Sequence, residues 1–196
     1  LRLGWSKGDE EIFTDQEMRD DFKGGTLNQS PATFSMDKLL WFNKYYLDQM
    51  TIDELNELID TPSFDGGVFA NTVLELIRER CSSLKDFLTL TDYFFEDPLE
   101  FDAALIDKHI KEETSQYLDL LSKRFQEVNE WKSENIKEAI EIVVKEHSIG
   151  FAKIGLPLRL ALTATVNSPS IDLICEVLGK DVTERRLNSF LAKIKG

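Results

Sequence analysis

The sequence predicts an all-α fold: two small helical bundles in series, behind a short and less regular N-terminal lead-in. Three observations carry this. From Ser35 onward apolar residues recur every three or four positions, the spacing that lines one face of a helix. No alternation of apolar and polar residues runs long enough to make a half-buried strand. Helix-start chemistry also recurs: in Thr14 with Glu17 and Thr51 with Glu54, the hydroxyl takes the backbone N–H three residues on while the carboxylate reaches back to the first. The bundles divide at Glu96-Asp97-Pro98, because proline lacks an amide donor and clashes with the preceding turn. The resulting units are 1–45, 46–99 and 100–196.

In chain order, the box at Thr14 predicts a short helix over 15–22, and Gly24-Gly25 and Ser30-Pro31 then break any longer periodicity. Met36, Leu39, Leu40, Phe42 and Leu47 mark the next helix, and Thr51 opens another over 52–59. After Thr61-Pro62-Ser63 and Gly66-Gly67, the residues Val68, Val73, Leu74, Leu76 and Ile77 predict a helix ending near Cys81. Ser82 or Ser83 caps one that carries Leu84, Phe87, Leu88 and Leu90 toward Tyr93-Phe94-Phe95. Beyond Pro98 a long helix bears Leu118, Leu121, Phe125 and Val128. Ser133 is expected to cap an amphipathic one on which Ile136, Ala139, Ile140, Val143, Val144 and His147 share a stripe. Pro157 and Pro169 are each expected in a first helical turn, where a missing donor is harmless. Gly179 closes the helix begun at Pro169, and Arg185, Leu187, Phe190, Leu191 and Ile194 form the last.

The chain has 196 residues, with 23 Lys and Arg against 36 Asp and Glu, a net charge of −13. That length allows one domain or two small ones, and folding would bury about 70% of the unfolded surface. With 42% hydrophobic and 30% charged residues the composition is that of a soluble globular protein. The acidity argues against sequence-independent binding to nucleic acid, which relies on a broad basic surface. Cys81 and Cys175 form no CxxC, and His109 and His147 lie in unrelated segments, so a zinc site is not expected. Neither a membrane-spanning run nor a signal peptide is visible, and the reading is a cytoplasmic protein with no membrane or DNA partner. A start at Leu1 without Met reads as a piece of something longer.

Enzyme signatures are weak. Leu120-Leu121-Ser122-Lys123-Arg124 is close to the KMSKS signature of class I aminoacyl-tRNA synthetases, but its first lysine is replaced and it lies in a helical pattern. His147-Ser148-Ile149-Gly150 echoes HIGH in the wrong chain order, and Gly179-Lys180 lacks the rest of a phosphate-binding loop. Carboxylate clusters such as Asp9-Glu10-Glu11 and Glu112-Glu113 read as solvated faces, and no catalytic residue is assigned. Trp41, Tyr45, Tyr46 and Tyr93-Phe94-Phe95 stand at helical spacing beside leucines and are expected in the core. The arginines carry more information. Arg78, Arg80 and Lys85 gather at one helix junction, while Arg159, Arg185 and Arg186 lie in the second bundle with the turn Asn167-Ser168-Pro169-Ser170. A guanidinium fork suits a base edge or a phosphate, and unstacked bases of a single-stranded loop offer such edges even to an acidic protein. From the residues alone two readings stay open, an RNA-reading module and an acidic helical protein-interaction module.

Leu1-Arg2-Leu3-Gly4-Trp5-Ser6, Asp9-Glu10-Glu11-Ile12-Phe13, Ser30-Pro31-Ala32-Thr33-Phe34 and Lys38-Leu39-Leu40-Trp41-Phe42-Asn43 resemble the segment that follows the KMSKS loop in bacterial glutamyl-tRNA synthetases. The likeness continues in family order through Arg78-Glu79-Arg80, Leu84-Lys85-Asp86-Phe87, Trp131, Gly155-Leu156-Pro157-Leu158-Arg159, Ala161-Leu162-Thr163 and Leu178-Gly179-Lys180. It implies the end of the stem-contact region followed by a two-part helical anticodon-binding domain, which binds the anticodon loop of tRNA-Glu. Glutamate, ATP and magnesium would act only in a catalytic domain upstream, and no cofactor is implied for this segment. By the same resemblance Arg80 holds the position of an arginine that reads the third anticodon base, and Arg159 that of one near the first base. Ser168, Pro169 and Ile171 match a loop around that first base, with Ile171 in place of the usual leucine. Arg78 and Lys85 would support Arg80.

Overall fold

The computed structural model describes residues 7–22, 33–59, 61, 63, 64 and 66–195. The pieces Leu1–Ser6, Gly24-Gly25, Ser30-Pro31 and Pro62, on which part of the sequence reading rests, fall outside them. Two compact units emerge, Leu1–Asn43 and Lys44–Gly196. Among the described residues the regular structure is helical, apart from one isolated bridge between Lys7 and Glu10.

In the first unit α1 (Asp15–Asp21) starts at Thr14 with the expected reciprocal box: Thr14 Oγ1 accepts the Glu17 N–H and the Glu17 carboxylate accepts the Thr14 N–H at 2.7 Å. The Thr14 N–H and, at 2.8 Å, the Thr14 hydroxyl both donate to the Glu17 carboxylate and hold it below the usual carboxylate range. Lys7 pairs with Asp21 at 2.8 Å, and Lys38 pairs with Glu11. Helix α2 (Met36–Gln49) begins in this unit and ends in the second.

The second unit continues with α3 (Ile52–Leu58), α4 (Val68–Ile77), a 3-10 turn Arg78–Arg80, α5 (Leu84–Thr89), α6 (Asp92–Phe95), α7 (Ala103–His109), α8 (Thr114–Gln126), α9 (Ser133–Glu146), α10 (Ala152–Thr163), α11 (Ile171–Leu178) and α12 (Lys180–Lys195). Its C-terminal half is a bundle in which α8 packs on α9, α10 and α12, and α9 on α11. Leu118, Leu121 and Phe125 of α8, Ile136 and Ile140 of α9, and Phe190 of α12 are wholly buried there. Each such side chain contributes roughly 1.5–3 kcal/mol by leaving water. Toward the N-terminus Leu55, Val73, Leu74, Ile77 and Phe87 form the matching interior. The two interiors join, because α4 packs on α11 and α6 on α10, on opposite sides of Pro98.

Arg186 fastens that join. Its guanidinium, 5% exposed as a residue, donates through Nε to Asp97 Oδ1 at 2.8 Å, through Nη1 to Tyr93 O at 2.5 Å and Leu162 O at 2.8 Å, and through Nη2 to Glu96 O at 3.0 Å. One cation thus closes the ends of α6 and α10, where carbonyls lack intrahelical donors. Arg185 adds a pair to Asp97 from the outside, its Nη2 lying 2.7 and 2.8 Å from the two carboxylate oxygens.

Several sequence expectations are corrected. The helix carrying Leu84, Phe87 and Leu88 is α5 and stops before Tyr93 as read, whereas Tyr93-Phe94-Phe95 form the separate short α6, with the Thr91 hydroxyl bonded back to Phe87 O at 2.6 Å between them. The long helix beyond Pro98 is α8, which bears Leu118, Leu121 and Phe125 but ends before Val128, and a short α7 that the periodicity did not mark precedes it. Ser133 is the first residue of α9 and not its cap; its N–H is taken by Glu176 Oε2 at 3.0 Å, from 43 residues away in sequence. His147 is exposed at the C-cap of α9 and not on the buried stripe. Pro157 lies buried in the second turn of α10, and Pro169 stands one residue before Ser170, the N-cap of α11. Tyr93 and Phe94 are core residues as expected, but Trp41, Tyr45 and Tyr46 on α2 are largely exposed.

Candidate functional site

The site is built where the 3-10 turn after α4 meets the loop 164–170 between α10 and α11. Helix α4 ends at Ile77, whose buried side chain anchors the turn, and the turn leaves Arg80 exposed at its last position. Arg80 Nη2 donates to Asn167 Oδ1 at 2.8 Å, joining residues 87 positions apart. On the other side, α10 carries Arg159, whose Nη1 donates to Ser168 O at 2.8 Å and also meets Ser168 Oγ and Pro169 O.

The loop is held from within by hydroxyls. Thr163 Oγ1 lies 2.8 Å from Arg159 O and 3.1 Å from Thr165 O, and Thr165 Oγ1 accepts the Asn167 N–H at 3.1 Å. Ala164, with a φ of 53°, turns the chain out of α10 in the left-handed region. Ser168, Pro169 and Ile171 are buried by this folding, while Asn167 and Ser170 are exposed. The structure therefore brings Arg80, Arg159, Ser168, Pro169 and Ile171 into one neighbourhood, with the loop triad as its floor.

The electrostatics of this neighbourhood differ from those of the rest of the surface. Arg19, Arg124, Arg185 and Arg186 each pair with a carboxylate. Arg80 and Arg159 meet only neutral oxygens among the described residues. They also feel each other: burial first, and then the charge of Arg80, pull the Arg159 guanidinium below its ordinary range. Neither guanidinium makes an ion pair among the described residues, although the Asp172 carboxylate lies near enough to act on Arg159, so positive charge gathers at one point of a chain of net charge −13.

Sequence reasoning missed two members. Asn167 was quoted as part of a turn, but only the fold shows that its amide faces Arg80. The spacing of Tyr93 predicts a core position, which is right for the ring; its hydroxyl is buried with no hydrogen-bond partner among the described residues and lies within the field of Arg80 and Arg159. Burial pushes that phenol up to about 12 despite the two nearby cations.

Arg78 and Lys85 stand apart. Arg78 turns the other way, donating to Leu47 O at 2.7 Å and to Met50 O, so it closes the C-terminal end of α2. Lys85 is exposed in the first turn of α5. The arginines 185 and 186, grouped with Arg159 by sequence, serve the Asp97 junction described above. Among the described residues no group of three or more His, Cys, Asp or Glu is placed to hold a metal ion, and no helix is long and apolar enough to cross a membrane.

Two arginines thus meet at one inter-helix loop of a helical unit, and the chain belongs to the anticodon binding domain family, which matches residues 37–191. Two solved structures share the whole arrangement. One is a glutamate tRNA ligase from Elizabethkingia meningosepticum in complex with its amino acid, 28% identical with a TM-score of 0.83. The other is the glutamate-tRNA synthetase from Elizabethkingia anophelis, 27% identical with a TM-score of 0.80. In each case the match covers 97% of this chain and 39% of the other, so the chain spans well under half the length of these proteins.

Proposed function

We propose that this chain recognises the anticodon loop of tRNA-Glu as the anticodon-binding part of a glutamate–tRNA ligase. The observation that carries the reading is the pair Arg80 and Arg159, two neighbouring guanidiniums that hydrogen-bond only to neutral oxygens among the described residues, on a fold shared with glutamate–tRNA ligases. Arg80 reads the third anticodon base on its Watson–Crick edge: the fork of donors meets the oxygen and ring nitrogen of cytosine, whereas guanine on that edge presents donors of its own. Arg159, held against Ser168 and Pro169, frames the place of the first base, with Ile171 behind the loop. Activation of glutamate with ATP and magnesium belongs, on this reading, to a separate catalytic domain, and this segment binds without catalysing.

Binding by this segment alone is weak. The net charge opposes the phosphate backbone, and a parent enzyme gains by holding the acceptor arm as well. A gel shift or filter assay at moderate salt, with tRNA-Glu against an unrelated tRNA, tests the reading. Preferential retention of tRNA-Glu that is lost in R80Q supports it; equal or no binding of the two tRNAs overturns it. In the parent enzyme, R159A should reduce charging while the glutamate-activation step is preserved.

A further inference from the structure

We propose that Asn167 is a positioning residue that holds Arg80 for the third anticodon base and ties that contact to the loop around the first. The inference rests on the anticodon reading above. Arg80 is an exposed, long side chain with several rotatable bonds, and its one hydrogen-bond partner among the described residues is Asn167 Oδ1 at 2.8 Å. Without that bond the guanidinium would sample many rotamers, and the base would have to order it on binding.

The chemistry of the partner is informative. An amide oxygen orients a guanidinium while leaving its full charge for a ligand, whereas a carboxylate, as at Asp97 for Arg185, would neutralise it. Asn167 is itself anchored. Its N–H binds Thr165 Oγ1 at 3.1 Å, Thr163 contacts both Thr165 O and Arg159 O, and Arg159 grips the next two residues, Ser168 and Pro169. A continuous set of hydrogen bonds therefore links the arginine assigned to the first base with the one assigned to the third. The sequence keeps them 79 residues apart (159 − 80), and the fold joins them through one side chain.

The test measures binding of this chain to tRNA-Glu transcripts ending their anticodon in C or in G, with wild type, N167A, N167D, R80Q and the R80Q/N167A double variant. Melting curves by circular dichroism accompany each protein. N167A should lower the C-over-G preference by about two- to tenfold, the range for losing the pre-ordering of one long side chain. Because Asn167 acts through Arg80, the double variant should match R80Q alone. N167D keeps an oxygen for Arg80 but adds a charge, so it should preserve the preference while weakening binding to both transcripts.

A C-over-G preference unchanged in N167A, or additive losses in the double variant, would overturn the role of Asn167 while leaving Arg80 as the reader. A wild-type chain with no C-over-G preference, or an R80Q that keeps it, would instead remove the anticodon reading of Arg80 and this inference with it.

Discussion

Arg186→Ala removes the cation that closes α6 and α10 from a side chain only 5% exposed, and three carbonyls, of Tyr93, Glu96 and Leu162, lose their donor together. A hydrogen bond to a charged group contributes about 1.5–3 kcal/mol, but neighbouring losses do not add, since water can enter the space left behind. Asp97 keeps its pair with Arg185, so no charge is stranded in the interior. Breaking a buried, hydrogen-bonded ion typically costs about 3–5 kcal/mol, and the lower half of that range fits a site where Asp97 still faces solvent. For a domain of this size the loss corresponds to a fall in Tm of roughly 6–15 °C, at about 2–4 °C per kcal/mol. Urea denaturation followed by circular dichroism measures it. Arg185→Ala is the control, with a predicted loss under about 1 kcal/mol because its pair is exposed. Equal, small effects of the two substitutions would show that the carbonyls find other partners and that Arg186 is no junction.

Gly179 joins α11 to α12 at φ 81° and ψ 162°, a conformation that glycine alone adopts readily, with open space where a Cβ would stand. Gly179→Ala should therefore destabilise by about 1–3 kcal/mol through backbone strain alone, measured by the same urea titration. Asp97 is held below the usual carboxylate range, chiefly by its hydrogen bonds with Arg185. A depressed folded pKa means that the stabilisation is present above the unfolded value near 3.9 and is lost as pH falls through the folded one, so Asp97→Asn should flatten the acid limb of a stability-versus-pH curve below about pH 4. Cys81 and Cys175 are buried, and desolvation pushes the Cys81 thiol up to about 12 and raises Cys175 further still. Neither should react with a thiol reagent at pH 8 until urea unfolds the chain; fast labelling of the native protein would show that the interior opens locally.

What the sequence revealed of this fold was what is decided within a turn or two of helix. The boxes at Thr14 and Thr51 form as read, because donor and acceptor lie three residues apart and need nothing else. Ser83 caps α5 for the same reason, with Asp86 as its partner. Ser133 fails by the same logic: a carboxylate from α11 reaches its N–H first, and no local pattern announces Glu176. Periodicity places Tyr93 and Phe94 inside but also points to Trp41, Tyr45 and Tyr46, which share the spacing and remain largely exposed. Charge is harder still. Arg78 and Arg80 are two residues apart and look alike in sequence, yet one guanidinium closes the end of α2 and the other faces Asn167, because a 3-10 turn sends them in different directions. Arg185 and Arg186 likewise split between surface and interior. An arginine's role is set by the oxygens that surround it, and those come from segments that only folding brings near. The resemblance picked out Arg80 and Arg159 without that knowledge; the structure adds that among the described residues both hydrogen-bond to neutral oxygens at one loop, where Arg124 and Arg186 meet carboxylates.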